Sequence, residues 1–382
     1  MKRILIAILV LITSNSQAQT TEVKPNNNIQ LAILLDVSGS MDGLIKQAQE
    51  ELWSVVNEVS KAKKNGIPSN VSIGLYSYGN SGTTANGFIQ QLVTFTGDVD
   101  TISKVLFALK TSGSSEYCGQ VISKAQEELL WSPVDGVYKV IFIAGNEEFT
   151  QGPVNYLNAC ETAVAKKIII NTIHCGTEMA GRSGWWANAA KLGKGEYFWI
   201  DANKVEAFIP SPYDSIIDIY NQNLNRTYWA YGGKAEEYKS SQIKGDADNK
   251  SANQKAYYDR VKSKSKAHVY EKNTAKWDLN AKIKIDSTSL EKIPDAELPE
   301  VLKGKTLKEK KQMLADNQVL RDSTTGKIKE YSRLRDEYVN QIKLNNISES
   351  TTQSLGEAIA QAIRTQAAKL GFEFDLATEI KN

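Results

Sequence analysis

Asp36, Ser38 and Ser40 stand two residues apart in the run Asp36-Val37-Ser38-Gly39-Ser40. One carboxylate and two hydroxyls at a single turn offer three oxygens, the donor type that a hard divalent cation takes. The same residue types also cap helices and fill polar loops, so the pattern gains meaning only from what positions it. The preceding residues, Ile29 to Leu35, form a short and mostly apolar run of the kind that makes a buried strand. The chain thus leaves a strand at Asp36, and open α/β sheets bind ligands outside the carboxyl ends of their strands.

The residues beyond this turn alternate helix and strand signals up to about residue 202. Leu44 to Val59 carries apolar side chains at helical spacing, and Val71 to Tyr76 alternates as a strand does. Phe88 to Phe95 reads as a further strand, an antiparallel edge. Helices are expected over Asp98–Leu109, Cys118–Trp131, Asn155–Ala165 and Ser183–Leu192, and buried strands over Val137–Ala144, Ile168–Cys175 and Glu196–Ile200. Such alternation predicts an α/β fold, a doubly wound and mainly parallel sheet with helices on both faces. Pro210 and Pro212 punctuate the exit from it, and residues 213–382 read as an α-helical C-terminal region. Ile328, Tyr331, Leu334, Tyr338 and Ile342 make one helical stripe, and Ser350 to Gln353 has the form of a capping box ahead of another helix. Lys234 to Lys276 has few large apolar residues and reads as a solvated or partly disordered helix rather than a partner-binding coiled coil.

These features resemble the von Willebrand factor type A domain over residues 28–208, in an exported bacterial subgroup with a C-terminal helical extension. The strand leading into Asp36-x-Ser38-x-Ser40 and the order of the later elements carry the resemblance, as do Ala144 to Pro153, Asn171 to Gly176 and Thr227 to Gly232. The resemblance implies a metal-ion-dependent adhesion site. There the first loop, a Thr on a second loop and an Asp on a third hold Mg2+ or a similar ion, and a partner's carboxylate completes its coordination. The second loop here is Gly113 to Gly119, with Ser115 or Glu116 at the Thr position; the third has Gly145 where the family has Asp. The expected metal residues are therefore Asp36, Ser38, Ser40, Ser115 and Glu116. The family's sheet order would make neighbours of the helices that carry Cys118 and Cys160, so the resemblance makes a disulfide between them a candidate, beside the reading of three buried thiols with Cys175.

Lys2 and Arg3 ahead of the apolar run Ile4 to Ile12, with Ser16 and Ala18 at small-residue positions, read as a signal peptide over residues 1–18. That implies export to a periplasmic or secreted location, where disulfides persist. The chain has 46 Lys and Arg against 44 Asp and Glu, and loss of Lys2 and Arg3 makes the two equal. This balance gives no electrostatic case for nucleic acid, and no later segment is apolar enough for a membrane span. The function expected is recognition of a protein or cell-surface partner without enzymatic activity. The alternative is a metal-dependent enzyme or enzyme subunit with Glu116, Glu147 and Glu148 at the metal. His174 and Cys175, adjacent on a strand, point to opposite faces and do not form a nucleophile–base pair.

Overall fold

The computed structural model describes residues 26–82, 86–204, 207–345 and 354–374. The signal-peptide reading of residues 1–18 and the capping box over 350–353 lie outside them. The order along the first part is β1 (Asn28–Asp36), α1 (Asp42–Val59), β2 (Ala62–Lys64), β3 (Ile67–Pro68), β4 (Asn70–Tyr78), β5 (Gln90–Thr96), α2 (Val99–Ala108) and α3 (Cys118–Glu128). It continues with β6 (Tyr138–Gly145), α4 (Tyr156–Ala165), β7 (Ile169–Cys175), α5 (Glu178–Ser183), α6 (Trp186–Leu192) and β8 (Lys194–Ile200).

Six strands form one sheet in the order β5-β4-β1-β6-β7-β8, in which only β5 runs antiparallel. This is the doubly wound fold class expected, including the antiparallel edge. Strands β1 and β6 are buried along almost their whole length because helices cover both faces. One face packs Leu52 and Trp53 of α1 and Ile102 of α2 against Leu31, Leu35 and Val140. The other packs Val121 of α3, Ala159 of α4 and Trp186 of α6 against Leu34, Ile141 and Ile143.

Beyond β8 the chain is helical: α7 (Asp214–Thr227), α8 (Ala235–Ala252), α9 (Gln254–Lys264), α10 (Ala267–Thr274), α11 (Leu279–Ile285), α12 (Ser289–Lys292), α13 (Leu307–Asn345) and α14 (Leu355–Ala368), then the short β9 (Glu373–Phe374). Helix α13 is 39 residues long, and Ile328 of its stripe is fully buried against Tyr257, Tyr258 and Val261. Residues 234–276, expected to be solvated, instead form packed helices. Their interior is polar: Asp246 accepts from Arg260 Nε (2.8 Å), Lys264 Nζ (2.8 Å), Asn221 Nδ2 (3.0 Å) and Asn225 Nδ2 (2.8 Å). Paired charges interrupt the apolar contacts that Tyr257, Tyr258 and Val261 make, so no continuous stripe marks the segment and its sequence reads as surface.

Helix α14 returns to the first part of the chain. Leu355, Ile359 and Ile363 join the same core as β1 and α1, and β9 pairs with β2. Its capping box is Ser354 with Glu357, just after the segment expected to supply one.

Candidate functional site

The turn after β1 is fixed by backbone bonds to its neighbours. Val37 N donates to Tyr78 O (2.8 Å), Gly39 N to Gly113 O (3.0 Å), and Ser112 N to Val37 O (2.8 Å). Gly113 has φ 92°, and a Cβ there would lie 2.3 Å from Ser81 N, so only glycine fits. These ties bring the second loop beside the first.

Asp36 is fully buried, and its Oδ1 accepts from Ser38 N (2.7 Å). Ser38 Oγ and Ser40 Oγ lie 3.4 Å apart, and Asn146 Nδ2 donates to Ser40 Oγ (3.3 Å). Glu116, 3% exposed, faces Asp36. A Cβ added at Gly79 would lie 2.6 Å from Asp36 Oδ1 and 3.2 Å from Glu116 Cγ, so the two acids and that glycine crowd one spot. Ser115 makes a backbone bridge to Gly79, and the carboxyl turned to Asp36 is that of Glu116. Asp36 Oδ2, Glu116 Oε2 and Asn146 Oδ1 are all buried without a hydrogen-bond partner.

The electrostatics follow from this crowding. Burial and the nearby Glu116 push the Asp36 carboxyl up to about 8. Burial raises Glu116 as well, against the pull of hydrogen bonds from its neighbours. Two acids this close cannot both ionise without a counter-charge, so alone the pair keeps a proton at neutral pH. A divalent cation would supply that counter-charge, and the donor set of two carboxylates, two hydroxyls and an amide oxygen is all oxygen. The residues therefore fit such an ion. No cluster of three or more acids, histidines and cysteines occurs among the described residues, so any ion here would draw on hydroxyl and amide oxygens too.

Gly145, at the end of β6, explains the missing third-loop acid. A Cβ at this position would come 2.5 Å from the Tyr78 hydroxyl and 3.1 Å from Asp36 Oδ2. Tyr78 Oη, donating to Ala144 O (2.9 Å), occupies the room an Asp would need. Glu147 and Glu148 of the third loop are exposed, while Trp186 Nε1 donates to Glu147 O (2.7 Å) and anchors that loop. Trp185 is 48% exposed beside it, with Trp186 buried. Asn146 was not among the residues the sequence pointed to; the polar run that follows an apolar strand was its only signal.

Of the two readings, the structure has three buried thiols and no Cys118–Cys160 disulfide. Helices α3 and α4 are neighbours, yet Cys118 Sγ lies 3.9 Å from Tyr78 Oη and Cys160 Sγ 3.7 Å from Ala189 O, two separate thiols turned to different partners. Burial holds the Cys160 thiol up at about 12, and raises Cys118 and Cys175 too, so none is a ready nucleophile. His174 is buried, and burial lowers its pKa.

No family profile and no curated protein matches the chain. Solved structures of type A domains and related proteins are similar in part. A conserved hypothetical protein BatB from Bacteroides thetaiotaomicron is 16% identical, over 45% of this chain and 90% of that one, at a TM-score of 0.36. A von Willebrand factor type A protein from Catenulispora acidiphila is 11% identical over 46% and 39%, at 0.35. Proximal thread matrix protein 1 from the mussel byssus, with a zinc-occupied adhesion motif, is 13% identical over 48% and 44%, at 0.37. With scores this low the likenesses carry no argument; the doubly wound fold stands on the strand order itself. No helix among the described residues is long and apolar enough to cross a membrane.

Proposed function

We propose that this is an exported, non-enzymatic binding protein whose loop face, residues 36–42, 113–118 and 145–149, recognises a protein or surface partner. In this reading a divalent cation, Mg2+ or similar, is held by Asp36, Ser38, Ser40 and Glu116, with Ser115 on the same loop and Asn146 Oδ1 as a neutral donor. The observation that carries it is the buried Asp36–Glu116 pair, each with an unpartnered oxygen. A bound carboxylate lowers the ion's pull on a further acid. The partner is then held as much by the surface around the site, Trp185 included, as by an acid of its own.

Calorimetric titration of the full chain with MgCl2, MnCl2 and CaCl2, alongside thermal melts, tests this. The expected result is saturable heat with at least one ion, a raised melting temperature, and loss of both in Glu116→Gln. Neither heat nor shift at saturating ion would overturn it. Capture of a partner from envelope extracts should fall when a chelator is added.

A further inference from the structure

The three loops of the face, residues 36–42, 113–118 and 145–149, carry the acids Asp36, Asp42, Glu116, Glu147 and Glu148, and no Lys, Arg or His. Asp36 and Glu116 are buried and belong to the cation site. Asp42 opens α1, where an acid suits the helix start, and it accepts from Thr111 Oγ1. Glu147 and Glu148 lack either explanation, for both stand exposed on the third loop. The Gln151 amide approaches Glu147 only to 3.5 Å. Arg182 of α5 is already held by Glu178 (2.7 Å).

The face is negative whether or not an ion is bound. A divalent cation offsets only the Asp36–Glu116 pair, and without one the proton kept by that pair removes a single charge. Glu116 links the buried acids to the exposed ones. Its Oε2 is buried without a partner, and its carboxylate takes a hydrogen bond from the Glu147 backbone and feels that residue's charge. A further carboxylate brought to this face adds to the like charge, whereas a cation relieves it.

Trp185 supplies a ring at the same edge. It is half-exposed at φ 69°, in the left-handed region that bulky residues rarely adopt. Bonds on either side hold it there: Phe149 N donates to Gly184 O (2.9 Å), and Trp186 Nε1 donates to Glu147 O (2.7 Å). They clamp the start of α6 to the third loop, with Trp186 buried and Trp185 turned outward. The neighbouring Gly184 lies against Glu148, whose Cα would be 3.8 Å from a Cβ placed there. A guanidinium suits such a corner, because its plane stacks on an indole while its N–H edge forks to a carboxylate.

Resting on the reading of this face as the recognition surface, we infer that its partner docks through a basic protein segment, an Arg-bearing stretch whose cations meet Glu147 and Glu148 against the Trp185 ring. Charge complementarity to Glu147 and Glu148, rather than an acid brought to the ion, then selects the partner.

The test titrates the full chain by calorimetry with an octapeptide of alternating Gly and Arg, with and without MnCl2. A citrulline counterpart, of like shape without charge, and an alternating Gly–Glu peptide are the contrasts. The arginine peptide should bind, less tightly at high salt, and the other two should not. Glu147→Gln combined with Glu148→Gln should lower affinity about tenfold, the worth of one charge-assisted bond. Trp185→Ala should lower it several-fold. Glu236→Gln combined with Glu237→Gln, an equally exposed pair at the start of α8, should change nothing. Thermal melts of the glutamate variants should match the parent, since only exposed side chains change. Failure of the arginine peptide to bind would overturn the proposal. So would an affinity unchanged in either loop-face variant, an equal loss in the α8 variant, or tighter binding of the glutamate peptide. The cation reading fails on a separate result, the absence of heat with metal ions, and peptide binding without such heat would uphold this inference alone.

Discussion

At the scale of single residues, Asp36, Glu116, Tyr78 and Gly145 behave as one unit. Adding a methyl group in Gly145→Ala drives it into the Tyr78 hydroxyl, and overpacking of this kind costs about 1–3 kcal/mol. Urea unfolding should register that loss, and Tyr78→Phe, which removes the obstructing oxygen, should return part of it in the double variant. Stability without a cation should depend on pH in a defined direction. The folded-state pKa of Asp36 is raised from 3.8 to about 8. The folded chain therefore holds the proton that the unfolded chain has released, and stability declines as pH rises from about 4 to about 8. With a bound ion the trend reverses, because ligation requires ionised acids and expels protons. Chemical denaturation at several pH values, with and without MnCl2, checks both signs. Asp36, Ser38 and Ser40 were legible because the site begins where an apolar run stops. The choice between Ser115 and Glu116 was not, since it depends on how the Gly113 turn is pinned to Gly39 and Ser81. The role of Tyr78, distant in sequence from Gly145, carries no local signal at all.

At the scale of elements, the strands and the helices around them were readable because burial imposes a period on their sequence. Helix α1 was expected over Leu44–Val59 and spans Asp42–Val59; Asp98 and Asn155, at the starts of two expected helices, accept bonds as their caps. Helices α8 and α9 follow a different logic. Their shared interior is built on Asp246, whose carboxyl Lys264 and Arg260 hold well below the usual range despite its burial. Lys264 and Arg260 are themselves buried. Asp246→Ala leaves the buried Lys264 with amide oxygens but no carboxylate, while Arg260 keeps Asp100, and breaking a buried pair from one side costs about 3–5 kcal/mol. Denaturant titration should show a loss on that scale. A loss under 1 kcal/mol, about the value of an exposed pair, would mean the network is solvated. Trp53 of α1 ties this cluster to the sheet, donating from Nε1 to Asn249 Oδ1 (2.9 Å) and lying 4.8 Å beneath the Arg260 guanidinium.

At the scale of the whole molecule, the last helix decides how the parts hold together. Helix α14 completes the face of the sheet that α1 and α2 cover in part: Gln366 Nε2 donates to Asn171 Oδ1 (2.6 Å), Tyr138 Oη donates to Gln366 Oε1 (2.9 Å), and Ser354 Oγ donates to Glu51 (2.9 Å). Burying side chains such as Leu355, Ile359 and Ile363 is worth roughly 1.5–3 kcal/mol each. A chain ending at Asn345 should therefore lose its cooperative melt, and a peptide of residues 354–374 added separately should restore it. A melt unchanged by the truncation would refute this. The bond from Ser354 to Glu51 joins residues 303 positions apart, and β9 closes on β2 from as far away. A ribosome delivers the amino end first, so the earliest strands must wait, unfinished, until residues 354–374 have emerged. Contacts this remote slow maturation and lengthen the interval in which sticky intermediates persist. Until α14 is in place, the flank of the sheet that it covers stays bare.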